Sequence, residues 1–380
     1  MFDLSNISGL LTAVVVLGVL IFVHELGHFL VAKRLGFCVL KFSIGFGKKL
    51  FGVVKGETEY LISAIPLGGY VKFYGENTMG EEEDVATLSD EEKLRASDVP
   101  EHREFSNIHP FKRLLTIIAG PIFNLIFASF LFTIILLNGF VVPGTKIGEA
   151  LEDRPAYKAG VREGDKILEI DGNEVKDWED VHHFITTGSD PLVKLKIDRA
   201  GEVIDFSIEP EIKMSEGAPG AKEVQRRLVG IVNSQDPEDA IEKTFGFGEA
   251  IVVGAEQTVG YIMMTLKGVK MMIFREISVR ENLGGPIMIV QMTGKFAQKG
   301  ILYLLNFMAI ISISLGVINL FPIPILDGGA VVFTLIEMIK GSPVTLKVRM
   351  AAQQVGMVLL IALMLFAFYN DIARLMAPPS

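Results

Sequence analysis

The sequence predicts a mainly α-helical membrane protein: four transmembrane helices, a small membrane-associated β-sheet and one inserted extracytoplasmic α+β domain. Half of the 380 residues are hydrophobic and the mean hydropathy is +0.42, too apolar for a soluble chain of this length. Four stretches also lack charge over lengths that can cross about 30 Å of hydrocarbon at about 1.5 Å per residue. They are the opening run from Leu4, Leu114 to Phe140, Gly300 to Leu326, and Met350 to Asn370, giving spans within 1–35, 112–140, 300–329 and 350–374. The first has no Lys or Arg ahead of it and no small-residue cleavage site behind its apolar stretch, so it is expected to stay in the mature protein.

Lys and Arg near the span ends set the orientation. Lys33, Arg34, Lys112 and Arg113 bracket the first loop, and Lys340, Lys347 and Arg349 lie between the third and fourth spans. Residues 36–111 and a loop at 330–349 are therefore expected on the cytoplasmic side, with both termini and residues 141–299 outside. The run EEED at 81–84 reads as part of a solvated acidic linker over 76–104. A net charge of −9 argues against a nucleic-acid partner, and the single cysteine, Cys38, excludes an intrachain disulfide.

Inside the first span, HELGH at 24–28 sets two histidines four residues apart. On a helix both imidazoles then share one face and can grip one metal ion, while Glu25 stays free as a catalytic base. On a soluble helix the same residues could be merely solvated. At about 1.5 Å per residue, His24 lies about 26 Å beyond Ile7, still at membrane depth, where ionisable groups are costly and mark function. A catalytic zinc takes three protein ligands and an open position. The candidate third ligand is Asp327 in NLFPIPILDGG, 319–329, the first charge after the third apolar stretch, with Pro322 and Pro324 unwinding the helix before it. The alternative is that Asp327 caps the span at the interface and Gly328-Gly329 forms a turn.

With four spans, the first and third run the same way and bring His24, His28 and Asp327 to the cytoplasmic side; a fifth span would part them. Residues 250–274 bear on this, being apolar but interrupted by Glu256, Lys267 and Lys270. They read as an amphipathic helix on the outer membrane surface, with LGGPIMIVQM at 283–292 dipping beside it, within an interfacial stretch over 236–299.

Between the first two spans, YLISAIPLGGYVKFY at 60–74 alternates and is expected to turn at Gly68-Gly69. With FSIGFG at 42–47 it makes a small sheet within 37–75, whose free edge, including Gly68, Gly69 and Tyr70, can bind a substrate segment as an added strand. Between the second and third spans, AGVREGDKILEIDG is similar to the core of a PDZ domain: a turn, Gly-Asp, a strand and an Asp-Gly turn. Strand-like LVKLKI and VIDFSI follow, and RLVGIVN at 227–233 is a candidate closing strand for a domain over 141–235. His182 and His183 fall on its surface helix and are assigned no metal.

Together HELGH, GPIFN at 120–124, the single PDZ-like domain and NLFPIPILDGG resemble the site-2 proteases, and within them the branch of the bacterial regulator of sigma-E protease, over most of the chain. The resemblance implies an intramembrane zinc endopeptidase of the bacterial cytoplasmic membrane, with His24, His28 and Asp327 as zinc ligands and Glu25 as catalytic acid/base. It also implies that Asn319 and Asn124 handle substrate near the scissile bond; for Asn124 and Gly120-Pro121, helix packing is the alternative. It further implies a membrane-reentrant sheet and single-span membrane substrates, such as anti-sigma factors or signal-peptide remnants, already cut by an upstream extracytoplasmic protease. The outer domain would then filter substrates by size. Familiar proteobacterial members carry two PDZ domains where this chain has room for one, which leaves substrate range open. The rivals are a membrane PDZ adaptor, against which the intact Glu25 speaks, and a metal transporter, against which the single ligand cluster and lack of an inverted repeat speak.

Overall fold

The computed structural model describes residues 4–76, 92, 99–215, 224–278 and 284–376. It divides into two units, Met1–Thr133 with Ile251–Ser380, and Ile134–Ala250. The chain opens with α1 (Leu4–Leu35), which ends where Gly36 takes a left-handed φ of 91° and Phe37 N returns to Ala32 O, closing the last turn.

Two long antiparallel strands follow, β1 (Val39–Lys55) and β2 (Thr58–Phe73). The reversal expected at Gly68-Gly69 is instead at Gly56, φ 63°, where Lys55 pairs with Thr58. Both strands then bend on themselves, helped by Gly45 and Gly47 at φ 92° and 86°. Residues 41–44 consequently pair with 59–62 on one side and with 69–72 on the other. Across this ribbon the order is 51–55, 59–62, 41–44, 69–72, so Gly69 to Lys72 form an edge. Gly68 and Gly69 are there for close approach: a Cβ on the first would fall on the Phe46 ring, and on the second 2.7 Å from Ser43 O.

Between α1 and the ribbon lies an aromatic core of Phe29, Phe37, Phe42, Phe73 and Phe105, each such burial stabilising by about 1.5–3 kcal/mol. At the turn, Glu57 pairs with Lys33 and with Arg103, both at 2.7 Å, pinning the hairpin to the end of α1. Cys38 beside them is fully buried. Burial first, and then the charge of Glu57, push its thiol up to about 11. The run at 81–84 and most of the expected linker lie outside the described residues; Glu92 is buried and pairs with Lys41 and Lys72. Helix α2 (Pro110–Asn138) begins on a proline, whose missing N–H costs nothing in the first turn.

The second unit contains, in chain order, β3 (Phe140–Pro143), β4 (Ile147–Ala150), α3 (Pro155–Ala159), β5 (Lys166–Ile170), β6 (Asn173–Glu174), α4 (Trp178–Thr187), β7 (Val193–Arg199), β8 (Glu202–Ile208), β9 (Glu211–Ser215), β10 (Val224–Leu228), β11 (Ile231–Asn233) and β12 (Ala240–Lys243). Four strands form an antiparallel sheet ordered β6-β5-β7-β8, and β9 with β10, β4 with β11 and β3 with β12 form two-stranded pieces. Alternation along β7 buries Val193, Leu195 and Ile197 in one core with Ile147, Ile167, Ile170 and Ile208. The Asp-Gly turn appears as expected between β5 and β6, with Asp171 and Gly172 at φ 51° and 82°. His182 and His183 are exposed on α4. The closing segment splits into β10 and β11, anchored by buried Arg227, which donates to Asp171 and to the carbonyls of Phe184, Ile185 and Asp190. The unit reaches Ala250, and within the stretch expected at the interface residues 240–243 form β12, paired with β3.

Among the described residues, five helices follow: α5 (Phe247–Ile273), α6 (Pro286–Lys299), α7 (Ile301–Asn319), α8 (Asp327–Lys340) and α9 (Leu346–Met376), the first of them beginning in the second unit. Among the described residues, four helices, α1 from Ser8, α2, α7 and α9, are long and apolar enough to cross a membrane; α5 is not one of them. It rests on α2, with Gly254 against Ser129 and Thr133 and Tyr261 stacked 5.5 Å from Phe132. Helix α6 lies along α1, where Gly9 and Gly294 meet backbone to backbone, and Asp371 of α9 caps it by accepting from Gly285 N and Met288 N at 3.0 Å each. The loop expected at 330–349 is mostly helix: Asp327 starts α8, the apolar run VVFTLI carries it on, and Gly341 at φ 74° ends it.

Candidate metal centre

The four-residue spacing in α1 brings His24 Nε2 and His28 Nε2 to 3.2 Å from each other. Asp327 reaches them because the polypeptide between α7 and α8 is folded tightly over the start of α8. A Cβ on Gly328 would strike the carbonyls of Leu320 and Phe321, and one on Gly329 that of Ile323. Asp327 Oδ2 thereby stands 3.0 Å from His24 Nε2 and 3.6 Å from His28 Nε2. It faces the histidines and not an interface.

These three groups fit a zinc ion. Asp327 Oδ2 is buried, and though close to both rings it makes no hydrogen bond of its own; a shared cation satisfies all three atoms. Ligand atoms around a tetrahedral zinc with bonds of about 2.0 Å stand about 3.3 Å apart, and the observed 3.0, 3.2 and 3.6 Å bracket that spacing.

The surroundings come from α2. Thr116 O accepts from His28 Nδ1 at 2.8 Å, and the Asn124 amide lies 3.0 Å from His24 Nδ1. Between them Gly120 faces the metal position bare: a Cβ there would lie 2.9 Å from His24 Nε2 and closer still to His28 Nε2. Helix packing alone does not describe Gly120. Its signal in the sequence is a glycine one turn before Asn124, which by itself does not say what it faces.

Glu25 opens into a cavity of about 640 Å³ lined by His24, His28, Asp327, Tyr70, Val71 and Arg349, among others. The ribbon edge runs beside it. The Val71 backbone N–H interacts favourably with the Glu25 carboxylate, and Gly69 packs so near that a Cβ would lie 3.2 Å from Glu25 Cγ. Of the expected substrate-contacting residues, Tyr70 is on the cavity wall and Gly68 and Gly69 lie in the strand leading to it. Asn124 and Asn319 are not on that wall: the first is fully buried behind His24, and the second ends α7.

The chain matches the model of Peptidase family M50 over residues 12–363. It is 34% identical to a putative zinc metalloprotease of Agrobacterium fabrum over 95% of each chain. It is 36% identical to a putative zinc metalloprotease of Campylobacter jejuni, covering 96% of this chain and 93% of that one. It is 30% identical to the zinc metalloprotease RasP of Geobacillus kaustophilus, covering 97% and 99%. With four helices among the described residues apolar and long enough to cross a bilayer and a His-His-Asp cluster able to hold a metal, the chain is a multi-pass membrane zinc metalloprotease and belongs to Peptidase family M50, the site-2 proteases.

Proposed function

We propose that the protein is an intramembrane endopeptidase that cuts single-span membrane proteins in or near the bilayer, with His24, His28 and Asp327 holding zinc and Glu25 as acid/base. The observation that carries this is the convergence of the three ligand atoms within 4.8 Å beside Glu25, on helices apolar enough to span a membrane. Zinc held there supplies Lewis acidity, polarising the scissile carbonyl and lowering the pKa of water towards about 7. Glu25 takes the proton of the attacking water and returns it to the leaving amine. Its neighbours suit proton transfer, since the Val71 N–H favours the charged carboxylate and the cavity holds room for a peptide.

A helical substrate hides its carbonyls in its own hydrogen bonds, so it must unwind before cleavage. The edge at 69–72 supports a reading in which the unwound segment adds as a strand beside Glu25, with Tyr70 against it. Lys33, Arg34, Lys112, Arg113, Lys340 and Lys347 favour a cytoplasmic-side active site and an extracytoplasmic second unit in a bacterial inner membrane. That unit is read as a PDZ-type filter; substrates such as anti-sigma factors or signal-peptide remnants would be admitted after an upstream protease removes their outer domains. Excising residues 145–235 should then let intact substrates be cut, and continued refusal of them would count against a filter.

The central test is cleavage of a single-span substrate in proteoliposomes by wild type and Glu25→Gln. The variant should retain zinc and lose activity by about 100-fold or more. Equal cleavage by both would remove Glu25 from the chemistry.

A further inference from the structure

The two histidines are held from behind by different kinds of group. His28 Nδ1 meets a carbonyl, Thr116 O, at 2.8 Å. A carbonyl only accepts, so the ring proton of His28 sits on Nδ1 and Nε2 offers a lone pair to the centre. His24 Nδ1 meets an amide instead, with Asn124 Nδ2 at 3.0 Å and Asn124 Oδ1 buried without a hydrogen-bond partner. With the amide nitrogen forward, Asn124 donates to Nδ1. In that arrangement the one proton of a neutral His24 ring would sit on Nε2.

A metal on His24 needs Nε2 bare, and the one proton of the neutral ring must then be on Nδ1, where it requires an acceptor. Asn124 already has one in reach. The two ends of an amide are nearly the same size, and reversing it about its last side-chain bond puts the unpartnered Oδ1 on Nδ1. The rest of the residue is fixed: Asn124 is fully buried, its backbone carbonyl accepts from Ser312 Oγ at 2.8 Å, and Gly316 of α7 packs against its Cβ.

We propose that Asn124 is a positioning residue for the metal centre, whose amide oxygen accepts from His24 Nδ1 in the zinc-bound protein. This rests on the zinc reading above, and it removes Asn124 from contact with substrate. The feature that assigns the role is a buried side chain that can both donate and accept, set behind one ligand while the other ligand has an acceptor only.

The test is zinc affinity by chelator competition on the purified full chain in detergent, with thermal unfolding followed in parallel. Asn124→Leu, similar in size but unable to accept, should bind zinc about 10- to 100-fold more weakly. Asn124→Asp, which accepts from Nδ1 without needing to turn, should stay within a few-fold of wild type. The proposal is overturned if Asn124→Leu keeps wild-type affinity while cleavage falls, which would make Asn124 a substrate contact. It is equally overturned if both variants lose zinc in step with a lower unfolding temperature, which would make the residue purely structural. A His24→Ala control separates this from failure of the metal centre itself: undiminished affinity there would overturn the ligand set as well.

Discussion

Replacing Gly120 with alanine should empty the metal centre without touching a ligand. The added Cβ would stand 2.9 Å from His24 Nε2 and nearer still to His28 Nε2. Non-bonded heavy atoms settle at about 3.5 Å or more, so His24 must retreat by about 0.6 Å and His28 by more. Zinc sites tolerate about 0.2 Å in ligand distance. The rings cannot back away freely, because Thr116 O and the Asn124 amide hold them from behind at 2.8 and 3.0 Å. Overpacking of this kind costs about 1–3 kcal/mol, and displacing two ligands should weaken zinc by at least about 100-fold, the upper end seen when supporting groups are lost. Chelator competition reads the affinity, and circular dichroism in detergent checks that the helices persist. A folded Gly120→Ala protein with zinc affinity close to that of wild type would refute the geometry argued for α1 and α2.

Two further outcomes follow from other parts of the molecule. Val71→Pro removes the edge N–H beside Glu25; cleavage should slow by at least about tenfold with zinc still stoichiometric, whereas zinc loss would signal misfolding of the ribbon. In the second unit, burial raises the Asp177 carboxyl, but Lys243 at 2.6 Å and the Asp180 N–H outweigh it and hold it below its usual 3.8. A depressed carboxyl stabilises above its unfolded value and loses that contribution as pH falls through the folded one. Asp177→Asn keeps the helix cap and loses the ion pair, so it should destabilise the unit by about 1–2 kcal/mol at neutral pH. The gap to wild type should close below about pH 3.8. Fluorescence of Trp178, the chain's one tryptophan, follows this in denaturant titrations; a gap that ignores pH would remove the ion pair as its source.

The HELGH pairing is legible in the sequence because a helix of fixed period leaves no other way to arrange residues four apart. Asp327 is legible for another reason: a charge ending a long apolar run, after two prolines, needs a partner. The edge beside Glu25 is also readable from alternation, but the position of the hairpin turn is not. Glycine marks both chain reversal and close approach, and local sequence does not separate Gly56, which turns the chain, from Gly68 and Gly69, which let Phe46 and Ser43 come near. Helix α8 reads as a loop because Pro322 and Pro324 signal the end of regular structure, while in the fold Asp327 begins a second helix. Gly120 and Asn124 sit in plain view in GPIFN. Their meaning depends on which side of α2 meets α1 across a long separation in sequence, and that is decided by packing.

Cys38, the one thiol in the chain, is enclosed beneath the ribbon, and burial raises its pKa to about 11. At neutral pH it is almost wholly protonated and shut off from reagents. The native protein thus behaves towards maleimides as though it had no cysteine at all. Every thiol introduced elsewhere is a lone reporter: one at His182 and one at Gly56, treated with an impermeant label on intact cells and after lysis, would tell inside from outside without altering the background.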